Sequence, residues 1–165
     1  MKSIIFFVSV VAVLAASFIL VGFVSPVEQK NEISKEFNCS KETLWSKISD
    51  LEFYKQLKED IAQVVELDES GNNWHMFSNS GSCTKFEIIE STPGEKLVLK
   101  VTDQDLGIES LRTYQLYGNE NSSVLTVKEH KKIEPILLRS TMAISGGNQF
   151  IKKEIDNLYS IISIN

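Results

Sequence analysis

Between Ile61 and Ile133 the chain alternates apolar and polar residues six times over, with only turns between the runs. The runs are Ile61–Leu67, Asn73–Asn79, Cys83–Glu90, Lys96–Thr102, Ile108–Tyr117 and Ser123–Ile133. A period of two places alternate side chains on opposite faces, which is the pattern of a strand with one buried face. The separators are turn chemistry: Glu69-Ser70-Gly71-Asn72, Ser80-Gly81, Thr92-Pro93-Gly94, Asp103–Gly107 and Gly118–Ser122. Links this short cannot carry a crossover, so consecutive strands must pair antiparallel as a meander. Such a sheet needs something to cover its buried face.

The cover comes last. After Ile133 the period turns helical. Pro135 suits a first helical turn, and Ile144, Ile151, Ile155, Leu158 and Ile162 recur on one face. Gly146-Gly147 falls inside this run and costs about 2 kcal/mol relative to alanine. Either the helix bends there or something approaches its backbone.

Ahead of the meander, Glu32–Asn38 alternates as a further strand. Ser40 offers an N-cap to a short helix carrying Leu44, Trp45 and Ile48. Asp50 can cap a second short helix with Phe53, Tyr54 and Leu57 on its apolar side. The order is strand, two short helices, six strands, long helix. This predicts an α+β fold: a curved seven-stranded antiparallel sheet around a long C-terminal helix, with Trp45, Tyr54 and Leu57 plugging one end.

The first segment is separate. Ser3–Ser25 holds no charged residue, and at about 1.5 Å per residue it makes about 34 Å of helix, enough to cross a bilayer core. A cleaved signal peptide would have an apolar core of about 7–15 residues ending at a small-x-small site. Ala15 and Ala16 are small, but Phe18–Val24 continues apolar beyond them. The reading is therefore a transmembrane anchor over 3–25, a polar linker over 26–31 and a domain over 32–165. Cations near the span are close to balanced. The short tail with Lys2 tips the domain towards the outside.

The chain of 165 residues has 17 basic and 22 acidic side chains. Lys2 alone precedes Glu28, so the remainder carries 17 − 1 = 16 basic against 22 acidic, a net of −6. That balance excludes a nucleic-acid partner, whose affinity comes mainly from phosphate neutralisation, and leaves no polybasic patch for anionic lipid.

The stretch Asn38–Leu57 resembles the opening of the polyketide cyclase/dehydrase-like branch of the SRPBCC (Bet v 1-like/START) superfamily, where a strand ends in Asn-Ala-Pro-x-x-x-Val-Trp. A Ser/Thr-Asp pair and an aromatic before a last tryptophan follow. Trp45, Ser49-Asp50 and Tyr54 match; Cys39, Ser40 and Leu57 depart from it. Glu90–Leu97 is similar to the family's Glu-x-x-Pro-x-x-x-Leu strand-turn-strand. The resemblance implies a helix-grip fold with a cavity between sheet and helix for an apolar small molecule or lipid. It implies no single chemistry, since the family spans carriers, receptors and aromatase/cyclases.

With that resemblance, the candidate cavity lining is Phe86, Ile88, Arg112, Tyr114, Ser140, Ile144, Gly147 and Ile151. Arg112 shares a strand face with Tyr114 and Leu116, so it either points into the cavity towards a carboxylate or pairs at the rim with Glu87 or Glu109. Ser140 and Thr141 could offer hydroxyls to a ligand. His75 and His130 read as exposed strand histidines, and Lys128, Lys131 and Lys132 as a solvated strand end. Cys39 and Cys83 fit no metal spacing and read as two thiols. No catalytic set, metal site or cofactor is expected. The reading is a membrane-anchored binder or carrier; the alternatives are a protein-interaction module of the envelope and a cyclase/aromatase-type enzyme.

Overall fold

The computed structural model of the chain describes residues 2–51, 54 and 61–163. Its elements are α1 (Lys2–Val24), β1 (Glu28–Phe37), α2 (Lys41–Ile48), β2 (Ile61–Glu66), β3 (Asn73–Ser78), β4 (Cys83–Thr92), β5 (Lys96–Asp103), β6 (Ile108–Gly118), β7 (Ser123–Ile133), α3 (Ile136–Ser145) and α4 (Gln149–Ser163). The seven strands form one sheet in the order β1-β7-β6-β5-β4-β3-β2. Every pairing is antiparallel. Bulges between Ile61 and Gln63 and between Ile88 and Glu90 break the register, and an extra residue of this kind bends a strand and raises its twist.

α4 covers the concave face of this sheet. Ile151, Ile155 and Leu158 are its buried residues. They meet Phe37, Leu99, Tyr114, Leu116, Leu125 and Val127 in one core. Outside this stripe, Lys35 pairs with Asp156 at 2.7 Å and lies over the Tyr159 ring.

Three expectations need correction. The helical run after Pro135 is two helices, and the second, α4, is the long C-terminal helix that covers the sheet. Gly146 has φ +92° and donates its N–H to the Met142 carbonyl, ending α3, and a separate helix starts at Gln149. Only a glycine adopts that backbone conformation without strain.

Second, the polar stretch read as a linker is partly strand. Residues Glu28–Asn31 pair with Lys132–Glu129 of β7. Alternation does not reveal them because the half-buried members, Gln29 and Asn31, are polar themselves.

Third, Trp45 is only half-buried against the core, whereas Trp74 is 1% exposed. α2 forms as expected, with the Ser40 hydroxyl accepting from the Thr43 N–H, and buries Leu44 and Ile48. Of the second short helix, Phe53 and Leu57 lie outside the described residues, while Tyr54 is buried.

Candidate ligand site on the concave face

The inward positions of β3 and β4 build an aromatic end. Trp74 and Phe86 stack with ring centroids 5.1 Å apart and planes 6° from parallel. Tyr54 tilts against both, at 5.9 Å and 6.0 Å. The Tyr54 hydroxyl donates to the Ile48 carbonyl at 3.2 Å, tying the α2 end to this cluster. Trp74 Nε1 is buried and meets no hydrogen-bond acceptor among the described residues. A buried N–H left unpaired costs about 1–3 kcal/mol.

The inward positions of β6, β7 and β1 build a charged end. Arg112 Nε donates to Glu129 Oε1 at 2.9 Å, and its Nη1 donates to Glu154 Oε2 at 3.0 Å. Tyr114 donates its hydroxyl to Glu154 Oε1 at 2.6 Å. Lys131 Nζ lies 3.1 Å from Glu129 Oε2. Lys131 also donates to the Gly147 carbonyl, which receives a second bond from Asn31 Nδ2 at 3.2 Å. The side chains of Glu129 and Lys131 are each 2% exposed. Two cations and two carboxylates thus neutralise one another inside the protein, where unpaired charges would be costly.

Burial disfavours the Arg112 charge, but Glu154, Tyr114 and Glu129 outweigh it and hold the guanidinium above its usual pKa. Burial first, and then the Glu154 charge, push the Tyr114 phenol well above the ordinary tyrosine range. The same two causes, in the same order, raise Tyr54. These groups are donors locked in their protonated forms, not acids or bases poised near neutrality.

Of the candidate lining residues, Phe86, Ile88, Arg112, Tyr114 and Ile151 meet at the sheet–helix interface or in the core packed around it. Gly147 stands at the charged end. A Cβ there would come within 2.8 Å of Gln29 Oε1, the movable end of a side chain. Ser140 and Ile144 belong to α3 and lie elsewhere: Ser140 bonds the Phe18 carbonyl of α1, and Ile144 is 67% exposed. Thr141 is exposed and bonds back to the Leu137 carbonyl.

Arg112 points inward, and its partners are Glu129 and Glu154, not Glu87 or Glu109. Glu87 and Glu109 fall on the opposite strand parity and are exposed. The Lys128–Lys132 stretch is likewise not uniformly solvated. Lys128 and Lys132 are exposed, but Lys131 shares its parity with the buried Leu125, Val127 and Ile133. Strand parity was the available signal for Glu129 and Lys131, and the density of charge in Lys128-Glu129-His130-Lys131-Lys132 masked it. His130 is exposed and lies 3.3 Å from Glu28; His75 is half-buried. Cys39 and Cys83 are free thiols. Among the described residues no cluster of His, Cys, Asp and Glu could hold a metal ion.

No protein-family model and no curated protein matches this chain. Solved structures do match its fold. A START superfamily protein from Mycobacterium smegmatis superposes with a TM-score of 0.66 at 14% identity, covering 81% of this chain and 97% of the other. A conserved protein from Geobacillus kaustophilus gives 0.67 at 14% identity, with coverages of 82% and 95%. A norcoclaurine synthase point mutant from Thalictrum, solved in complex with a transition-state analogue, gives 0.60 at 14% identity, with coverages of 84% and 96%. The sheet, its covering helix and these likenesses define the START and Bet v 1-like helix-grip fold.

Proposed function

We propose that this helix-grip chain is a membrane-anchored binder or carrier of a lipid or other apolar small molecule, held between the sheet and α4. The observation that supports this reading is the aromatic end of the concave face. Tyr54, Trp74 and Phe86 form a buried apolar cluster there, and the buried Trp74 Nε1 lacks an acceptor among the described residues. A ligand with a carbonyl or ether oxygen would satisfy that donor while burying its apolar body against the rings. The self-neutralised charged end offers no net charge to an ionic ligand. A neutral, amphipathic ligand therefore fits better than a carboxylate.

The anchor in this proposal is α1, which is long and apolar enough to cross a membrane, as a signal sequence near an N-terminus also is. Most of its apolar side chains are exposed. The Lys2 tail favours a domain on the outer side.

The test is mass spectrometry of an organic extract from the full chain purified in mild detergent. Wild type should carry an apolar compound. Trp74→Phe should bind it about fivefold more weakly, the effect of one hydrogen bond worth about 1 kcal/mol. If nothing is extracted, and the apolar fluorophore 1-anilinonaphthalene-8-sulfonate does not bind either, the binder reading fails in favour of the interaction module.

A catalytic reading has one observation in its favour. Arg112 faces two carboxylates, one of which also accepts from Tyr114. On that reading the extracted compound would change mass on incubation with wild type and stay unchanged with Tyr114→Phe. On the binder reading neither protein alters it.

A further inference from the structure

α3 does not cover the sheet; it packs on α1. The contact is close. A Cβ on Gly22 would come within 2.2 Å of the Ile136 carbonyl oxygen and 2.4 Å of Ser140 Oγ, so only glycine lets the helices approach this far. Small residues at such crossings are the usual means by which helices pack within a bilayer.

The polar side chains in the middle of α3 all turn back onto backbone. Arg139 donates from Nε to the Gly22 carbonyl at 3.0 Å, and from Nη1 to Ile133 at 3.2 Å and Glu134 at 2.7 Å. Arg139 is 8% exposed, and its charge sits at the C-terminal end of α1, where the helix dipole favours a cation. Ser140 donates to Phe18 at 2.7 Å and also contacts the Ile136 carbonyl at 3.1 Å. Thr141 donates to Leu137 at 3.0 Å. The face left outward carries Leu137, 59% exposed, and Ile144, 67% exposed, seven residues apart and so on one side of the helix. An outward apolar face over internally satisfied polar groups suits a medium that offers no hydrogen bonds.

The depth of α3 follows from its partners. Phe18 lies six residues before the end of α1 at Val24, about 9 Å along the helix axis. A segment bonded to the Phe18 carbonyl cannot stand in bulk water while α1 spans a bilayer. Resting on the membrane-anchor reading, we propose that α3 lies within the outer part of the same bilayer, with Leu137 and Ile144 facing lipid. The anchor is then a two-helix element, and the domain is held against the membrane surface instead of hanging from a flexible stem. Only three residues, Ser25 to Val27, separate α1 from β1, which leaves little slack for any other arrangement.

The test is photo-crosslinking of the full chain in dioleoylphosphatidylcholine nanodiscs. A benzophenone amino acid is placed singly at Leu137, Ile144, Leu14 or Lys128, all outward-facing positions that tolerate bulk. Lipid adducts at Leu137, Ile144 and Leu14, with none at Lys128 on the convex face, are the expected result. Adducts at Leu14 but not at Leu137 or Ile144 overturn the placement of α3 and leave the anchor intact. No adduct at Leu14 overturns the anchor, and the inference with it. Gly22→Leu, which forces the helices apart, should keep the Leu14 adduct and lose those on α3. Undiminished α3 adducts in that variant would show that the α1 contact does not set its depth.

Discussion

The two ends of the concave face are both largely shut off from water and are held by opposite means. At the β3–β4 end, Tyr54, Trp74 and Phe86 pack on one another through their rings. At the β1–β7–β6 end, Arg112, Glu129, Lys131 and Glu154 satisfy one another across 2.9–3.1 Å. Dispersion and burial are non-directional, so an aromatic cluster tolerates small changes of shape. A buried ionic network is directional, so the loss of any one member strands the others. One fold thus contains a forgiving region and an unforgiving one beneath the same helix. A ligand is more easily admitted to the first.

The largest effect should come from breaking the network singly. Glu129→Gln leaves Arg112 and Lys131 short of a counter-charge and should lower stability by about 3–5 kcal/mol. Chemical denaturation of the domain measures it. Trp74→Ala should cost about as much through the cavity it leaves, yet the two sites part company under compensation. Replacing Arg112, Glu129, Lys131 and Glu154 together by apolar residues of similar volume should restore most of the stability lost in Glu129→Gln. No such rescue exists for the missing indole except refilling its volume. A Glu129→Gln protein as stable as wild type would show that water reaches this end.

The same contrast explains what the sequence disclosed. The meander was readable because apolar alternation marks each strand: β7 runs over Ser123–Ile133 as expected, and β2 begins at Ile61 as expected. Where the inward residue is polar, alternation is silent, so the first four residues of β1 passed for a linker. The buried Lys131 passed for a surface lysine for the same reason. The aromatic end was half legible. Tyr54 and Phe86 read as inward from the sequence, but Trp74, beside His75, does not stand out there, and Trp45 reads as the plug in its place. Glu154 sits one residue from the inward Ile155 on α4, where a carboxylate reads as solvated until the sheet supplies Arg112 and Tyr114. The placement of α3 depends on α1, an element the domain's own pattern does not mention. Only Gly22 and the polar residues of α3, read together, could have joined them.

A smaller effect follows from the tyrosines where the two ends meet. Burial, followed by the Glu154 charge, raises both Tyr54 and Tyr114 above the ordinary value, which is about 10 in an unfolded chain. A raised folded-state pKa contributes stability that is fully present below the unfolded value and is lost as pH rises through the folded one. Stability should therefore fall above about pH 10. Tyr114→Phe should be less stable than wild type at neutral pH, because Glu154 loses a donor, but its alkaline decline should be shallower. Parallel declines in the two proteins would mean that Tyr114 ionises freely.

The smallest effect is expected where similar hydrogen bonds form nearer the surface, and it isolates what deep burial adds. In the β2–β3 turn, Asp68 accepts from Ser70 Oγ at 2.6 Å, Asn73 Nδ2 at 2.6 Å and the Asn72 N–H at 3.1 Å. The Ser70 and Asn73 bonds hold its carboxyl below the usual value, although the residue is only half-buried. For a lowered pKa the sign reverses: the stability is present above the unfolded value, about 3.9, and is lost as pH falls through the folded one. Water competes for each of these bonds, so Asp68→Ala should shift the denaturation midpoint only slightly at neutral pH. The gap between variant and wild type should then close under acid. If the Asp68→Ala gap stayed constant down to about pH 2, below the ordinary carboxylate range, the charge on Asp68 would be irrelevant. The turn would then depend on shape alone, as the aromatic end does.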